Sequence, residues 1–283
     1  MKPRTHPKSR PVGLTRNFQA RDAISRQGIP EYSAKGIAAH SRKFQEDLRT
    51  PFPKATLGTS PKVLYEDNHL IAVWKDAGVL AQGDNSNVPS MMDDVKTYLK
   101  EKYKKPGNVF LGLLHRLDRP VAGILLFAKT SKGASRLSEQ FREHTLSKIY
   151  YAVIEGKLQK ESGTLVNMIE KKETMHGGRR AKITERGGDR AELSYETIRR
   201  GSRYTLVRIV LHTGKFHQIR AQFAAIKNPV AGDLKYNGHR SPLLTEGSIA
   251  LAACQLSFRT ATEERTITLK EPYPKEWNKF LER

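Results

Sequence analysis

An aspartate set between two arginines is the feature of this sequence that could most directly do chemistry. Asp118 is flanked by Arg116 and Arg119, and a carboxylate held in this way can act as a nucleophile. The ordinary interpretation of a lone aspartate beside arginines is a surface ion pair. The residues that follow favour a site instead, because Pro120 and Gly123 restrict the backbone and an apolar run then anchors the loop.

A second polar group lies later in the chain, on a segment with the pattern of a helix. Residues 217–225 place His217, Gln218 and Arg220 around the apolar Ile219, which predicts a helix with one functional face. A solvated helical surface is the alternative interpretation of the same pattern. The choice between them depends on what the neighbouring elements bring to this face.

A third segment pairs two tyrosines in a strand pattern. Lys148 is followed by Ile149, Tyr150, Tyr151 and an apolar run. Neighbouring side chains of a strand point to opposite faces, so one tyrosine can pack in the core while the other faces a cleft. A core position for both is the common outcome for such a pair.

The elements that must carry these residues follow from the hydropathy pattern. A helix should begin after Ser90, where Asp93 completes a capping box, and a second should begin with Ser131 as its cap. The polar, basic stretch 170–190 is predicted to be a mobile excursion. Apolar runs and period-two alternation predict strands at 63–67, 69–74, 123–128, 149–154, 191–198, 204–211, 249–258 and 265–269. Many strands with few helices predict an α+β fold, built on a mixed, largely antiparallel sheet with flanking helices and loops.

The charge balance points to a polyanionic partner. The 283 residues contain 50 Lys and Arg against 29 Asp and Glu, which gives a net charge of +21. Nucleic acid is the commonest partner of so basic a protein. Residues 1–60 hold 12 Lys and Arg against 4 Asp and Glu, so most of the excess lies outside them. We predict a flexible basic N-terminal arm over residues 1–60 and one folded domain over residues 61–283.

Several classes of protein are disfavoured by what the sequence lacks. The one cysteine, Cys254, allows no disulfide within the chain and fits a reducing compartment. Zinc-ligand spacing, the P-loop pattern and the dinucleotide-binding glycine pattern are not found, so we expect no metal and no nucleotide cofactor. No apolar run approaches the length of a membrane span. We expect a cytoplasmic protein without a membrane partner, with organelle import as the lesser alternative because the N-terminus is rich in Lys, Arg and Ser.

Taken together, the three segments resemble the signature motifs of the RluA-type pseudouridine synthases. The family pattern of His-Arg-Leu-Asp, two variable residues, a small pair and Gly is matched at 115–123, and its Lys-x-Tyr strand at 148–150. Thr-Gly-x-x-His-Gln-Ile-Arg is matched at 213–220, followed by Pro-x-x-Gly-Asp at 229–233. The similarity runs over residues 63–277, and four motifs in the family's order make the resemblance specific.

The resemblance implies that residues 61–283 form a pseudouridine synthase domain that isomerises uridine in structured RNA, either ribosomal or transfer RNA. It assigns Asp118 as the nucleophile, Arg220 as its bidentate partner, and Tyr150 as the ring that stacks on the uracil and assists proton removal. A base inside a stem cannot be reached, so it must be flipped out. Arg116 is implied to hold the displaced arrangement, and His115 to support the loop by hydrogen bonding. The substrate-binding set is expected to be His115, Arg116, Gly123, His217 and Gln218.

Two other functions stay open at this point. The first is a non-catalytic RNA-binding or ribosome-assembly protein on the same fold, which the intact Asp118, Tyr150 and Arg220 argue against. The second is another nucleic-acid enzyme such as a nuclease, which the lack of a metal-binding carboxylate cluster in the sequence disfavours. The basic residues of 170–190 are expected to grip RNA phosphates, and we expect the chain to act as a monomer.

Overall fold

The computed structural model describes residues 60–282 except positions 85, 87, 175–177 and 264. The basic arm expected over residues 1–60 therefore lies outside the described residues, apart from its last position. Within the described part, one sheet of eleven strands carries three α-helices and two short 3-10 helices. None of these helices is long and apolar enough to cross a membrane.

The strands predicted from the sequence are all present, with their ends moved by one or two residues at most. In chain order the strands are β1 (Lys62–Glu66), β2 (Leu70–Lys75), β3 (Gly112–Leu113), β4 (Ala122–Ala128), β5 (Ser147–Glu155), β6 (Ser162–Glu173), β7 (Arg179–Thr184), β8 (Asp189–Arg200), β9 (Tyr204–Leu211), β10 (Leu251–Arg259) and β11 (Thr266–Lys270). The helices are α1 (Met91–Lys102), α2 (Ser131–Arg142) and α3 (Gln218–Ala225), and the 3-10 helices span Leu234–Tyr236 and Lys275–Phe280.

Strand pairing makes the sheet mixed but largely antiparallel. The order is β1-β2-β4-β10-β5-β9-β8-β6-β7, with β11 beside β10 and β3 beside β4. Every pair of these strands is antiparallel except β4 with β10, where Ala252 lies opposite Ala122 and Ala253 lies opposite Gly123. The prediction of an α+β fold on a mixed, largely antiparallel sheet is therefore confirmed.

The two faces of the sheet bury different residues of the same strands. On one face, Ile71, Val73 and Tyr150 join a core to which α1 and α3 contribute. On the other face, Leu70 and Ala72 join a core to which α2 contributes. This alternation, which follows from the period of a strand, places α1, α3 and Tyr150 on the same face of the sheet.

A close approach between β4 and β10 depends on Gly123. Its φ is +137°, a backbone conformation that residues with a side chain rarely adopt. A Cβ at this position would lie 2.5 Å from the backbone nitrogen of Ala253 and 2.6 Å from its Cβ. Because Ala253 also pairs with Tyr150 on β5, the glycine lets the strand behind Asp118 pack closely on β10, the strand that separates it from β5 and Tyr150.

The prediction of a mobile excursion over 170–190 is wrong. This stretch forms the end of β6, all of β7 and the start of β8, with β6 paired antiparallel to both of the others. The hydropathy pattern does not indicate these strands, because few of their positions are buried. Ile169, Ala181 and Ala191 pack against α3, and most of the remaining side chains are polar or basic, so the amphipathic pattern of a strand is weak.

Side-chain hydrogen bonds fix the N-terminal ends of two helices. The Asp93 carboxylate accepts from the backbone N–H and the hydroxyl of Ser90 at 3.0 and 2.7 Å, as expected for a capping box. The cap of α2 is one residue earlier than predicted: Thr130, not Ser131, accepts from the N–H of Gly133 at 3.1 Å. Thr130 is the last residue with extended backbone, so its hydroxyl faces the open N–H groups of the first turn.

Candidate active site

The loop that carries Asp118 is anchored to β4 by the ring of His115. After β3 ends at Leu113, Nε2 of His115 accepts a hydrogen bond from the backbone N–H of Leu126 at 2.9 Å. The ring also stacks on Phe141 of α2, with 5.3 Å between ring centroids. Loss of solvent lowers the pKa of His115 to about 3, so the ring is neutral and able to accept. This nitrogen supports the loop, as the resemblance implies for His115, while contact of His115 with substrate stays a prediction.

A second anchor of the same loop is a fully buried lysine. The ammonium group of Lys75 donates to three carbonyl oxygens, at 3.0, 2.8 and 3.3 Å, which belong to Asp76, Val79 and Arg119. Burial lowers the pKa of Lys75 to about 7, although Asp118 attracts its charge. Three acceptors match the three N–H donors of the ammonium form. Lys75 thereby ties the turn after β2 to the loop that carries Asp118.

Arg220 of α3 joins two carboxylates. Its Nε and Nη2 donate to the two oxygens of Asp233 at 2.7 and 2.8 Å, and its Nη1 donates to Oδ2 of Asp118 at 3.0 Å. The side chains of Arg220 and Asp233 are 6% and 1% exposed, against 27% for Asp118. Burial alone would lower the pKa of Arg220, but the hydrogen bond and charge of Asp233 raise it. The bidentate contact expected with Asp118 is therefore made with Asp233, and Asp118 receives a single bond.

His217 reaches the same oxygen of Asp118. Its Nε2 lies 3.4 Å from Oδ2, and its Nδ1 lies 2.9 Å from the hydroxyl of Tyr236. That hydroxyl already accepts the backbone N–H of Ala181 at 2.7 Å, so we assign its own proton to the bond with Nδ1. Burial, and then the charge of Arg220, lower the pKa of His217 to about 2. The ring is therefore neutral, and its remaining N–H is on Nε2, the nitrogen that lies 3.4 Å from Oδ2 of Asp118.

Backbone and aromatic contacts hold the His217 ring in this orientation. His217 has a φ of +51° at the start of α3, a left-handed conformation that is rare for residues with a side chain. Its ring stacks on Phe216 with 3.8 Å between centroids and meets Tyr236 edge-on at 5.6 Å. A ring packed on two sides cannot turn freely, so the direction of its N–H is fixed.

Asp118 keeps one carboxylate oxygen open. Both of its contacts use Oδ2, and no donor among the described residues forms a hydrogen bond with Oδ1. Tyr150 lies close enough that burial, together with the charge of Asp118, raises the pKa of its phenol. The hydroxyl of Tyr150 likewise has no hydrogen-bond partner within the part of the chain that the structure describes. The site therefore offers an oriented carboxylate with a free oxygen, near a neutral aromatic ring.

Three other residues of the expected binding set differ in how far they are engaged. Arg116 is exposed and makes no ion pair or hydrogen bond among the described residues. Gln218 is 3% exposed; its amide oxygen accepts from the Thr213 hydroxyl and the Lys215 N–H, and its amide nitrogen donates to a carbonyl of β8. Gly123 is buried against β10. Gln218 and Gly123 thus have structural contacts of their own, and their contact with substrate stays a prediction.

Three neighbours of Asp118 are absent from the site expected from the sequence, namely Lys75, Asp233 and Tyr236. Asp233 carried a signal, because it stands in the Pro-x-x-Gly-Asp motif and a buried arginine needs a carboxylate partner. Lys75 and Tyr236 carried no such sequence signal, since a lysine at the end of a strand and a tyrosine after a turn are common on any protein surface. Their importance follows from burial, which the local sequence does not reveal.

Basic side chains surround this site on the side of β6 and β7. The Lys171 ammonium lies 5.0 Å from the ring centroid of Phe216, and the Arg180 guanidinium 4.8 Å from that of Tyr236. A cavity of about 460 Å³ runs between these strands and α3, and its lining includes Lys172, Arg180 and Lys182. Among the described residues, no three His, Cys, Asp or Glu side chains are grouped so as to hold a metal ion.

The sequence and the fold match a class of RNA-modifying enzymes. A family model described as RNA pseudouridylate synthase matches residues 69–225, more than half of the chain. The chain is 30% identical over 224 residues to ribosomal large subunit pseudouridine synthase C of Pasteurella multocida, which covers 78% of this chain and 67% of that protein. It is 29% identical over 229 residues to tRNA pseudouridine synthase C of Haemophilus ducreyi, over 76% of this chain and 92% of that protein. The solved structure of human RNA pseudouridylate synthase domain containing 4 has the same fold, with a TM-score of 0.62 and 19% identity over 77% of this chain and 92% of that one.

These findings define the protein as an RNA pseudouridine synthase. The chain belongs to the RluA-type branch of that family, as its four motifs predict. The matched segment contains Asp118, Tyr150 and Arg220, while Asp233 and Tyr236 lie beyond its end. The residues that orient the carboxylate therefore come from inside and outside the segment that the family model matches.

Proposed function

We propose that this protein converts specific uridines of structured RNA to pseudouridine with Asp118 as the nucleophile. The observation that carries the proposal is the asymmetric setting of its carboxylate. Oδ2 accepts a hydrogen bond from Arg220 and lies 3.4 Å from Nε2 of His217, whereas Oδ1 has no hydrogen-bond donor among the described residues. The buried Tyr150 lies close enough for the charge of Asp118 to raise the pKa of its phenol. A carboxylate oriented through one oxygen presents the other in a fixed direction, as efficient nucleophilic attack requires.

The reaction exchanges one bond of the uracil for another. The glycosidic bond between N1 and C1′ breaks, the base turns, and C5 bonds to C1′. The hydrogen on C5 leaves as a proton, and N1 takes up a proton in its place. An open Oδ1 on Asp118 is compatible with attack on the sugar carbon, where the glycosidic electron pair moves to the uracil, and with attack on the base. In both routes the carboxylate is released at the end, so Asp118 turns over.

We place Tyr150 as the ring on which the flipped uracil stacks. Its raised pKa keeps the phenol protonated at neutral pH, so it suits stacking and hydrogen-bond donation better than acceptance of the C5 proton. Stacking on an aromatic side chain is worth about 1–3 kcal/mol per base. Flipping a base out of a stem costs roughly a few kcal/mol, and this stacking energy offsets part of the cost.

Charged side chains around the cleft are proposed to hold the RNA. Arg116 is exposed two residues before Asp118, and we assign to it the contact that holds the nucleotides displaced by flipping. Basic residues of the β6–β8 region are proposed to bind phosphates, which positions the RNA without selecting a sequence. These residues are Lys171, Lys172, Arg179, Arg180, Lys182, Arg186 and Arg190.

The substrate class follows from the relatives. Similar proteins are named for ribosomal RNA and for transfer RNA, so we propose one of these two as the substrate. We further propose a cytoplasmic monomer whose catalytic domain is residues 61–283, with the basic residues of 1–60 adding affinity for phosphates. Deletion of residues 1–55 should then weaken RNA binding and flatten its dependence on salt. An unchanged salt slope would remove this role for the arm.

A non-catalytic RNA-binding or ribosome-assembly role on the same fold is the competing function. The two are separated by mapping pseudouridine across total RNA from cells with the wild-type protein, with Asp118→Asn, and without the gene. The proposal predicts at least one uridine whose modification is lost both in the variant and without the gene, and that position identifies the substrate. Identical maps in all three would leave only the RNA-binding role.

A further inference from the structure

A second aromatic surface lies at the end of α1 that is remote from the Asp118 loop. Tyr103 directly follows α1 and is 48% exposed, and Phe110 on the same connection is 53% exposed. Single apolar residues are common on protein surfaces, so exposure alone carries no meaning. The surroundings of Tyr103 make its exposure significant, because they fix the ring and place positive charge around it.

The edge of the Tyr103 ring is tied to a carboxylate. Its hydroxyl donates to Oε1 of Glu66 at 2.7 Å, and the ammonium groups of Lys102 and Lys129 donate to the same carboxylate at 2.7 and 2.6 Å. The Glu66 side chain is 9% exposed. Burial alone would raise the pKa of Glu66, but these donors lower it to about 2. The carboxylate therefore stays ionised at physiological pH and holds the ring in one orientation.

The turn after α1 fixes two further lysines beside the ring. The N–H of Lys105 bonds to the carbonyl of Lys100 at 3.0 Å, and the N–H of Lys104 bonds to the carbonyl of Glu101 at 3.3 Å. This pair of bonds defines a Schellman cap. Lys104 occupies its left-handed position, with a φ of +48°, where glycine is usual. A charged side chain therefore stands at a position where the backbone conformation favours glycine.

Three ammonium groups surround the Tyr103 ring. Those of Lys102, Lys105 and Lys129 lie 5.5, 6.0 and 4.9 Å from its centroid. Lys129 is only 9% exposed, while 48% of Tyr103 stays exposed to solvent. The dipole of α1 also favours cations at its C-terminal end, which accounts for the lysines but not for the exposed ring.

We propose that this Tyr103 surface, made of Tyr103 with Lys102, Lys104, Lys105 and Lys129, binds the substrate RNA away from the target uridine. One base stacks on the ring and the adjoining phosphates pair with the exposed lysines Lys102, Lys104 and Lys105, which is how proteins hold single-stranded nucleic acid. The inference rests on the proposed action on RNA.

The position of α1 lets one RNA reach both surfaces. α1 and Tyr150 contribute to the same face of the sheet. The N-terminal end of α1 is bonded to the segment after β2, through the Met91 N–H and the Leu80 carbonyl, and that segment is tied to the Asp118 loop by Lys75. The 12 residues of α1 span about 18 Å, which is roughly five nucleotides of a stacked strand.

The test measures how a fluorescein-labelled single-stranded oligoadenylate binds to the full-length protein over a range of salt concentrations. Tyr103→Leu should weaken binding at least about fivefold without changing the salt slope, because stacking releases no counterions. Tyr103→Phe keeps the stacking ring but loses the bond that orients it, and should retain most of the affinity that Tyr103→Leu loses. Lys104→Gln combined with Lys105→Gln should reduce the salt slope by roughly 1.4, since each phosphate contact of a single strand contributes about 0.7.

Two matched controls separate these effects from general changes of the surface. Ile226→Ala removes apolar area from another exposed residue, and Lys157→Gln with Lys160→Gln removes the same charge from another loop. The inference is overturned if Tyr103→Leu loses no more affinity than Ile226→Ala. It is equally overturned if polyglutamate, not the oligoadenylate, binds in a Tyr103-dependent way, which would mark a protein-binding surface.

The outcome is independent of catalysis. A protein that forms no pseudouridine but shows the Tyr103 effect would lose the proposed function and keep this RNA-binding surface. A protein that forms pseudouridine while Tyr103→Leu binds normally would keep the function and lose the surface. Ultraviolet crosslinking of the oligoadenylate complex adds a direct readout, with an adduct expected on the peptide that contains Tyr103.

Discussion

Arg220 holds Asp233 with two nitrogens and Asp118 with only one. The two-point contact fixes the plane of the guanidinium group, and the third nitrogen is then aimed at Asp118. Asp233 therefore acts on Asp118 through Arg220 without touching it. We regard Asp233 as a positioning residue whose loss should be felt in both stability and turnover.

Asp233→Asn should lower the free energy of unfolding by about 3–5 kcal/mol, because it removes the buried countercharge that Arg220 holds with two hydrogen bonds. Turnover should fall by about two orders of magnitude, since Arg220 is no longer held in the orientation that aims it at Asp118. Urea denaturation measures the first effect and initial rates the second. Asp189→Asn is the matched control: Asp189 is 71% exposed, 3.5 Å from Lys215, and its loss should cost no more than about 1 kcal/mol. Equal effects of the two substitutions would contradict the role of Asp233.

Tyr236→Phe removes the hydroxyl that sets the proton position on His217. We expect a turnover number about tenfold lower with KM little changed, and a stability loss of about 1–3 kcal/mol from the Ala181 N–H left without an acceptor. Nitrogen NMR should show the Nε2–H form of His217 in the wild type and a mixture of forms in the variant. Tyr65→Phe, which loses a hydroxyl bonded to Asp67 in the β1–β2 turn, should leave turnover unchanged. An unaltered His217 spectrum in Tyr236→Phe would remove this relay.

Gly123→Ala should destabilise the fold by at least about 3 kcal/mol, because the new methyl group meets the Ala253 backbone and the residue keeps a strained φ. Gly187→Ala is the matched control, since Gly187 also has a positive φ, +75°, but open space around its Cβ position. It should cost only about 1–2 kcal/mol, the penalty for the backbone alone. Thermal unfolding of both variants gives the comparison. If the two shifts are equal, the close approach of β4 and β10 is not what Gly123 provides.

His115 should make stability depend on pH on the acid side. Its pKa is lowered from 6.5 to about 3 in the folded protein, so below pH 6.5 the unfolded chain takes up a proton that the folded chain does not. The stabilisation is fully present above pH 6.5 and is lost as pH falls towards 3, by up to about 1.4 kcal/mol per pH unit. His115→Gln should show a shallower decline in the free energy of unfolding over this window. Parallel curves for the two proteins would show that the ring titrates normally.

The sequence predicts the parts of this protein that depend on local pattern. The strands of the central core were predictable because Gly123–Ala128 and the runs like it are continuously apolar or alternate with the period of a strand. β6 and β7 were not, because their pairing rests on backbone hydrogen bonds and on a few small buried residues such as Ala181. A strand that buries few apolar residues has only a weak hydropathy pattern.

The same division holds for the site. Asp118, Tyr150 and Arg220 could be named because their motifs are specific, and the structure places Arg220 on Asp118. Which carboxylate receives the two-point contact could not be predicted, since it depends on how the segment after Val230 folds back beside α3. The burial of Lys75 was equally hidden, because it arises when two loops that are distant in sequence close over one side chain.

The central claim is that Asp118 is the nucleophile, and hydrogen release from C5 tests it most directly, because the new C–C bond cannot form without losing that hydrogen. Total RNA from cells that lack the gene, labelled with uridine tritiated at C5, is incubated with an excess of protein. The wild type should release tritium from its target, and Asp118→Asn should release none above background while binding the RNA with comparable affinity. Tritium release by Asp118→Asn at a rate near that of the wild type would contradict the claim.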